Sequence, residues 1–187
     1  TVKGLKQLIG LKINKINIHT KKLRYTIPNS IFKIQKESTI NNIERIAKYV
    51  LIHLNSKYSI VFHLGMSGRI KILNKFDKRV KHDHFIIKFE GSRKLVFNDP
   101  RKFGFIDCDT TKKIYLRRYL SILGIDAIDK KLKSKYLFSK INRSEVPIKQ
   151  ILLNQTIISG IGNIYASEIL FDSKISPLIK GKNLNIL

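Results

Sequence analysis

Ser159-Gly160-Ile161-Gly162-Asn163-Ile164-Tyr165-Ala166-Ser167-Glu168 is the stretch on which the reading of this chain turns. Its two glycines permit a tight turn, Asn163 is placed to cap a helix, and Glu168 faces into an otherwise apolar helical run. Free main-chain N–H groups and the positive end of the helix dipole converge on such a turn, and glycines let a phosphate backbone approach closely. An ordinary helix–turn–helix corner has the same outline, so the segment by itself leaves both readings open.

Outward from it the spacing stays helical. Ile114, Leu116, Leu120 and Leu123 lead to Gly124, and Leu132, Tyr136, Leu137 and Ile141 follow. Pro147 then stands as a first helical residue before Ile148, Ile151 and Leu152. The last clear helix spans residues 163–172, after which come Ser176-Pro177 and an unfinished-looking Leu184-Asn185-Ile186-Leu187.

From Leu11 to about Asp107 the pattern is instead one of short β runs: Lys15-Ile16-Asn17-Ile18, Tyr58-Ser59-Ile60-Val61-Phe62, Arg69-Ile70-Lys71-Ile72, His84-Phe85-Ile86-Ile87-Lys88-Phe89 and Lys94-Leu95-Val96-Phe97. Glu90-Gly91-Ser92-Arg93 joins the last two as a hairpin. A short opening helix is expected from Val2, Leu5, Leu8 and Ile9, stopped by Gly10. The fold class is therefore α+β: a β-sandwich domain over residues 1–118 and a helical domain over 119–187, joined somewhere within 110–128.

With 187 residues and 43% hydrophobic content the chain can bury one substantial core or two small ones. Lys and Arg number 37 against 13 acidic residues, a formal charge of +24 that points to a polyanionic partner and salt-sensitive binding. Ile, Lys and Asn are over-used throughout, so nucleotide bias is an alternative source of the charge. The single cysteine, Cys108, excludes an internal disulfide or Cys-rich knuckle within these residues and reads as a reduced core thiol. No apolar run approaches the ~20 residues that span a bilayer, so no membrane partner is expected and the cytoplasm is the default.

Two further loops follow strands. His63-Leu64-Gly65-Met66-Ser67-Gly68 carries an unbranched apolar side chain at its tip; Asn98-Asp99-Pro100-Arg101-Lys102-Phe103-Gly104 alternates basic and aromatic residues. A protein that extrudes a base must fill the emptied stack with apolar wedges and satisfy the orphaned partner base, chemistry that Met66, Phe103 and Arg101 can supply. Alternatively Met66 and Phe103 are core residues and Arg101 pairs with Asp99. His82 and His84 flank Asp83, which suggests either a metal site or, more simply, hydrogen bonding to phosphate or backbone.

Taken together these segments resemble, in wording and order, the formamidopyrimidine-DNA glycosylase family, and the Met66 and Arg101-Lys102-Phe103 wording favours its oxidised-guanine branch over the related endonuclease eight group. The likeness extends to Ile46-Ala47-Lys48-Tyr49, Lys81-His82-Asp83-His84, Leu123-Gly124, Pro147-Ile148-Lys149 and Leu152-Leu153-Asn154-Gln155. It implies a base-excision repair enzyme, both glycosylase and abasic-site lyase. Such an enzyme removes oxidised purines (8-oxoguanine, formamidopyrimidines) from double-stranded DNA gripped in a cleft between a β-sandwich and a helix-two-turn-helix domain. By the same resemblance Lys48, Lys149 and Asn163 hold phosphates, Lys48 also donating a proton in β-elimination. His82 and Arg101 contact DNA, and Met66, Arg101 and Phe103 fill the void. Arg143 is the nearest candidate for a further basic DNA contact before Pro147, with Ser144 its rival for the aligned position. A monomer working at the nucleoid is expected.

The family's nucleophilic N-terminal proline and adjacent glutamate would precede Thr1. Thr1 has a primary amine of reference pKa ~7.7–8.0, able to form an imine, but it would stand several residues out of place. The chain as it stands is therefore expected to bind DNA without acting on it. The family's zinc finger would follow Leu187, so no cofactor is expected within these residues and zinc is expected only in the longer parent. The alternatives are a non-catalytic damaged-DNA-binding remnant and a generic basic packing or ribosomal protein.

Overall fold

The short apolar runs form strands, and the inner faces of two sheets built from them close on each other to make the first core. The structure, a computed structural model, describes residues 2–185; the Thr1 amine and the Ile186-Leu187 end considered above lie outside the described residues. A short helix α1 (Val2–Leu5) passes into a tighter turn, Lys6–Leu8, and buries Leu5 and Leu8. Gly10 at φ +86° ends it, as its position suggested.

Eight strands follow: β1 (Ile13–Ile18), β2 (Ile40–Ile46), β3 (Tyr49–Leu54), β4 (Tyr58–His63), β5 (Arg69–Asn74), β6 (Asp83–Phe89), β7 (Arg93–Asn98) and β8 (Phe105–Thr110). They pair antiparallel in two four-stranded sheets, ordered β1-β6-β7-β5 and β2-β3-β4-β8. Phe62 of one sheet meets Phe85 and Phe97 of the other at 5.8 and 5.9 Å between ring centroids, and Cys108 lies fully buried in the same core. Burial pushes that thiol up to about 12, so it stays protonated and unreactive. The Glu90-Gly91-Ser92 hairpin forms as expected, pairing Lys88 with Lys94.

Contacts divide the chain after Leu116. Helix α2 (Thr111–Tyr115) packs on β8 and β4, which is why it belongs with the sandwich. The single helix expected from Ile114 to Leu123 is instead two short ones, α2 and α3 (Arg118–Ser121), with Leu116 between them 77% exposed.

The second unit adds β9 (Ile125–Asp126), α4 (Ser134–Ile141), α5 (Ile148–Leu153), β10 (Ile158–Ser159) and α6 (Asn163–Asp172) around Ile141, Ile148, Ile151, Leu152, Ile158, Ile161, Ala166 and Leu170. Pro147 stands just before α5 at ψ 139°, one residue outside the helix rather than first within it. β9 and β10 run parallel. A Cβ on Gly124 would come within 2.2 Å of the Ile157 carbonyl oxygen, so only glycine allows this approach.

Candidate nucleic-acid interface

The two loops that follow β4 and β7 pack against each other, and a buried carboxylate joins them. Asp99 is fully buried; one carboxylate oxygen accepts the Ser67 hydroxyl and the other the Gly104 N–H at 2.8 Å. Its main chain is also used, the N–H donating to the His82 carbonyl and the carbonyl accepting from His84 Nε2 at 2.9 Å. Gly65, at φ +61°, lies so close to residues 103 and 104 that an added Cβ would stand 2.6 Å from the Phe103 carbonyl carbon.

This internal bracing displays an apolar rim. Met66 is 76% exposed and Phe103 45%, and the Arg101 guanidinium lies 4.4 Å from the centroid of the Phe103 ring. The core alternative for Met66 and Phe103 therefore fails. So does the Arg101–Asp99 pairing, since the Asp99 oxygens are taken by Ser67 and Gly104 while Arg101 stacks on the aromatic face. Beside the rim opens a pocket of about 820 Å³ lined by Lys48, Met66 and Phe103 together with Arg24, Arg45, Tyr49 and His63. Lys48 sits at the β2–β3 turn, next to Ala47 in the left-handed conformation, and desolvation lowers its amine from the ordinary 10.5.

Arg24 and His63 were not assigned roles from sequence. Arg24 lies in Lys21-Lys22-Leu23-Arg24, indistinguishable from other basic runs, and reaches the pocket because its N–H bonds to the Gly104 carbonyl. His82, at φ +70°, precedes β6 beside the Asp99 loop; its ring lies 6.1 Å from that of His84. Asp83 accepts from the Val80 N–H and Asn98 Nδ2, so the carboxylate between the two histidines is already engaged. No group of three or more His, Cys, Asp or Glu able to hold a metal occurs among the described residues.

In the second unit Gln155 fastens the turn before α6, donating to the Leu153 and Ile161 carbonyls and accepting the Gly160 N–H. Gly160 takes φ +96° there. Gly162, not Asn163, is the N-cap; Asn163 is the first helical residue and exposed. Glu168 is exposed too, because only Ala166 and Leu170 of α6 are buried. Lys149 donates to Ser167 Oγ at 2.9 Å, which sets its ammonium on the first turns of α6. Arg143 is exposed in the turn after α4, while the Ser144 hydroxyl accepts the Val146 N–H and its carbonyl accepts the Lys182 N–H.

A β-sandwich with two loops braced on each other, one of them glycine-bracketed, followed by a helical unit that presents a helix N-terminus beside a lysine, defines the β-sandwich plus helix-two-turn-helix class. The family model of the formamidopyrimidine-DNA glycosylase N-terminal domain matches residues 1–106, and that of the formamidopyrimidine-DNA glycosylase H2TH domain matches residues 123–186. The chain belongs to the formamidopyrimidine-DNA glycosylase family. It is 37% identical over 178 residues to the formamidopyrimidine-DNA glycosylase of Rickettsia conorii, covering 95% of this chain and 65% of that protein. To the enzyme of the same name from Zymomonas mobilis it is 38% identical, covering 99% and 68%. Lactococcus lactis Fpg, solved in complex with DNA containing an abasic site, superposes with a TM-score of 0.90 at 28% identity, over 98% of this chain and 68% of that one. The same protein has been solved with DNA containing FAPY-dG. The chain thus spans about two thirds of the length of the relatives it matches.

Proposed function

We propose that this chain is the damage-gripping part of a base-excision repair glycosylase and abasic-site lyase that removes oxidised purines from duplex DNA. The observation that carries this reading is the rim of Met66, Phe103 and Arg101, held out by the buried Asp99 beside a pocket containing Lys48. Exposed apolar tips on a rigid loop pair are costly in water and suited to a base stack, where they replace an extruded nucleotide. A damaged or abasic position is the cheapest to open, so the rim favours such sites without reading sequence. Replacing Met66 with alanine is expected to lower the preference for a tetrahydrofuran abasic-site duplex over undamaged duplex by about tenfold, or 1.4 kcal/mol, in competitive binding; an unchanged ratio refutes insertion.

Lys48, Lys149, Asn163 and Arg143 serve as phosphate contacts in this reading and His82 and Arg101 contact DNA, with Lys48 also the proton donor in β-elimination. Its lowered amine suits it to proton transfer. Each neutralised phosphate contributes about 0.9 to the slope of log affinity against log salt. The K48A/K149A double variant should therefore lose about 1.8 of that slope. An unaltered slope rules out the two lysines as phosphate contacts. Chemistry is tested by borohydride trapping on an oxidised-guanine duplex with the full-length protein; absence of a covalent adduct leaves a binding protein only.

A further inference from the structure

We infer that His63 is a positioning residue, whose neutral imidazole accepts the Gly65 N–H and so holds the Met66 loop in the shape that enters a damaged duplex. The inference rests on the proposed insertion of Met66. β4 ends at His63, and the loop turns back so that the Gly65 N–H meets His63 Nδ1 at 3.1 Å. The ring cannot swing away: it stacks on Phe105 at 5.4 Å and 13° and lies against Tyr49 at 5.2 Å. An Nδ1 that accepts leaves the ring proton on Nε2. Protonating Nδ1 would turn it into a donor facing another donor, and the latch would open.

The surroundings keep the ring neutral. Burial, Arg24 and Lys48, in that order, lower His63 from the ordinary 6.5. Tyr49 and Arg45 complete the ionisable groups of the pocket, which no acidic residue lines among the described residues. A depressed imidazole pKa means the neutral, latched form is complete above 6.5 and is lost as pH falls through the lower folded value. Gly65 is the residue this latch must control, since it is wedged against residues 103 and 104 and precedes Met66.

Two substitutions separate the latch from simple ring packing. Asparagine at 63 can accept the N–H two residues on, as in an Asx-turn, but cannot stack; phenylalanine stacks but cannot accept. H63F is expected to lower the preference for a tetrahydrofuran duplex over undamaged duplex about fivefold, one net hydrogen bond, and to speed hydrogen exchange at the Gly65 amide of the free protein. H63N should stay within about twofold of wild type. Between pH 7 and 5 the wild-type preference should fall relative to that of H63N. Retained preference in H63F with loss in H63N would assign the residue to packing, and a wild-type preference that rises with acid would make it an imidazolium phosphate contact; either overturns the latch. If M66A leaves the ratio unchanged the insertion reading fails by itself, and Gly65 exchange in H63F still decides whether the latch exists.

Discussion

Replacing Gly65 with alanine is expected to remove selective binding to an abasic-site duplex while both units keep their secondary structure. Two costs combine at this position. A left-handed φ of +61° costs a residue with a Cβ about 1 kcal/mol. The new methyl would also stand 2.6, 2.7 and 2.8 Å from the Phe103 carbonyl carbon, the Gly104 nitrogen and the Phe103 oxygen. These are main-chain atoms in a braced loop, so relief requires the two loops to separate. Separation breaks the Ser67 bonds to Asp99 and to the Arg101 N–H, for a total of about 2–4 kcal/mol. The rim of Met66 and Phe103 then no longer forms one edge, and the damage preference should fall at least about tenfold. Gly91 is the control. It has φ +81°, and a Cβ added there would meet nothing within 4 Å, so G91A should show only the conformational cost, read as a small drop in Tm, and bind like wild type. Equal behaviour of G65A and G91A in both assays would show that loop contact is irrelevant.

Where apolar side chains gathered in short runs or followed a helical stripe, the fold was legible: β1, β4, β5, β6, β7, α4 and α6 all fall on such stretches. β2 escaped because Ile40, Ile43 and Ile46 are spaced by three and look helical; the register shift between Ile40 and Asn42 lets both Ile40 and Ile43 be buried, while Ile46, in regular register, is only half-buried. β3, buried from Val50 to Leu54, was legible only through the family-like Ile46-Ala47-Lys48-Tyr49 that precedes it, not through any alternation of its own. In β8 the alternation was present, with Asp107 and Asp109 outward and Ile106 and Cys108 inward, but the aspartates read as loop. The site divides in the same way. Met66, Arg101 and Phe103 were identifiable as loop residues, but their exposure depends on bracing that no local pattern records. Asp99 is the plainest case: beside Arg101 in sequence it suggests an ion pair, whereas three-dimensional closure gives it to a serine and a glycine thirty-two positions before and five after.

That closure makes Asp99 the position where a single substitution should cost the sandwich most. All four of its polar groups are engaged and the residue is fully buried. Alanine keeps the main-chain bonds but leaves the buried Gly104 N–H without its acceptor, about 1–3 kcal/mol, and takes from the half-buried Ser67 hydroxyl its acceptor, about 1 kcal/mol. A loss of about 2–4 kcal/mol follows, which for a unit of this size lowers Tm by roughly 10 °C or more. Asparagine is the informative comparison. Its oxygen can take the Gly104 N–H while its amide donates to Ser67 Oγ, which already accepts the Arg101 N–H at 3.3 Å, so D99N should lose only about 1 kcal/mol. R101A removes the guanidinium from above Phe103 but no partner from Asp99, so it should leave Tm nearly unchanged while weakening DNA binding. If R101A destabilised the protein as much as D99A, the two residues would be a salt bridge after all and the bracing role of Asp99 would be wrong. The expected split, stability lost at Asp99 and binding lost at Arg101, is what a rigid loop pair built to present an exposed edge requires.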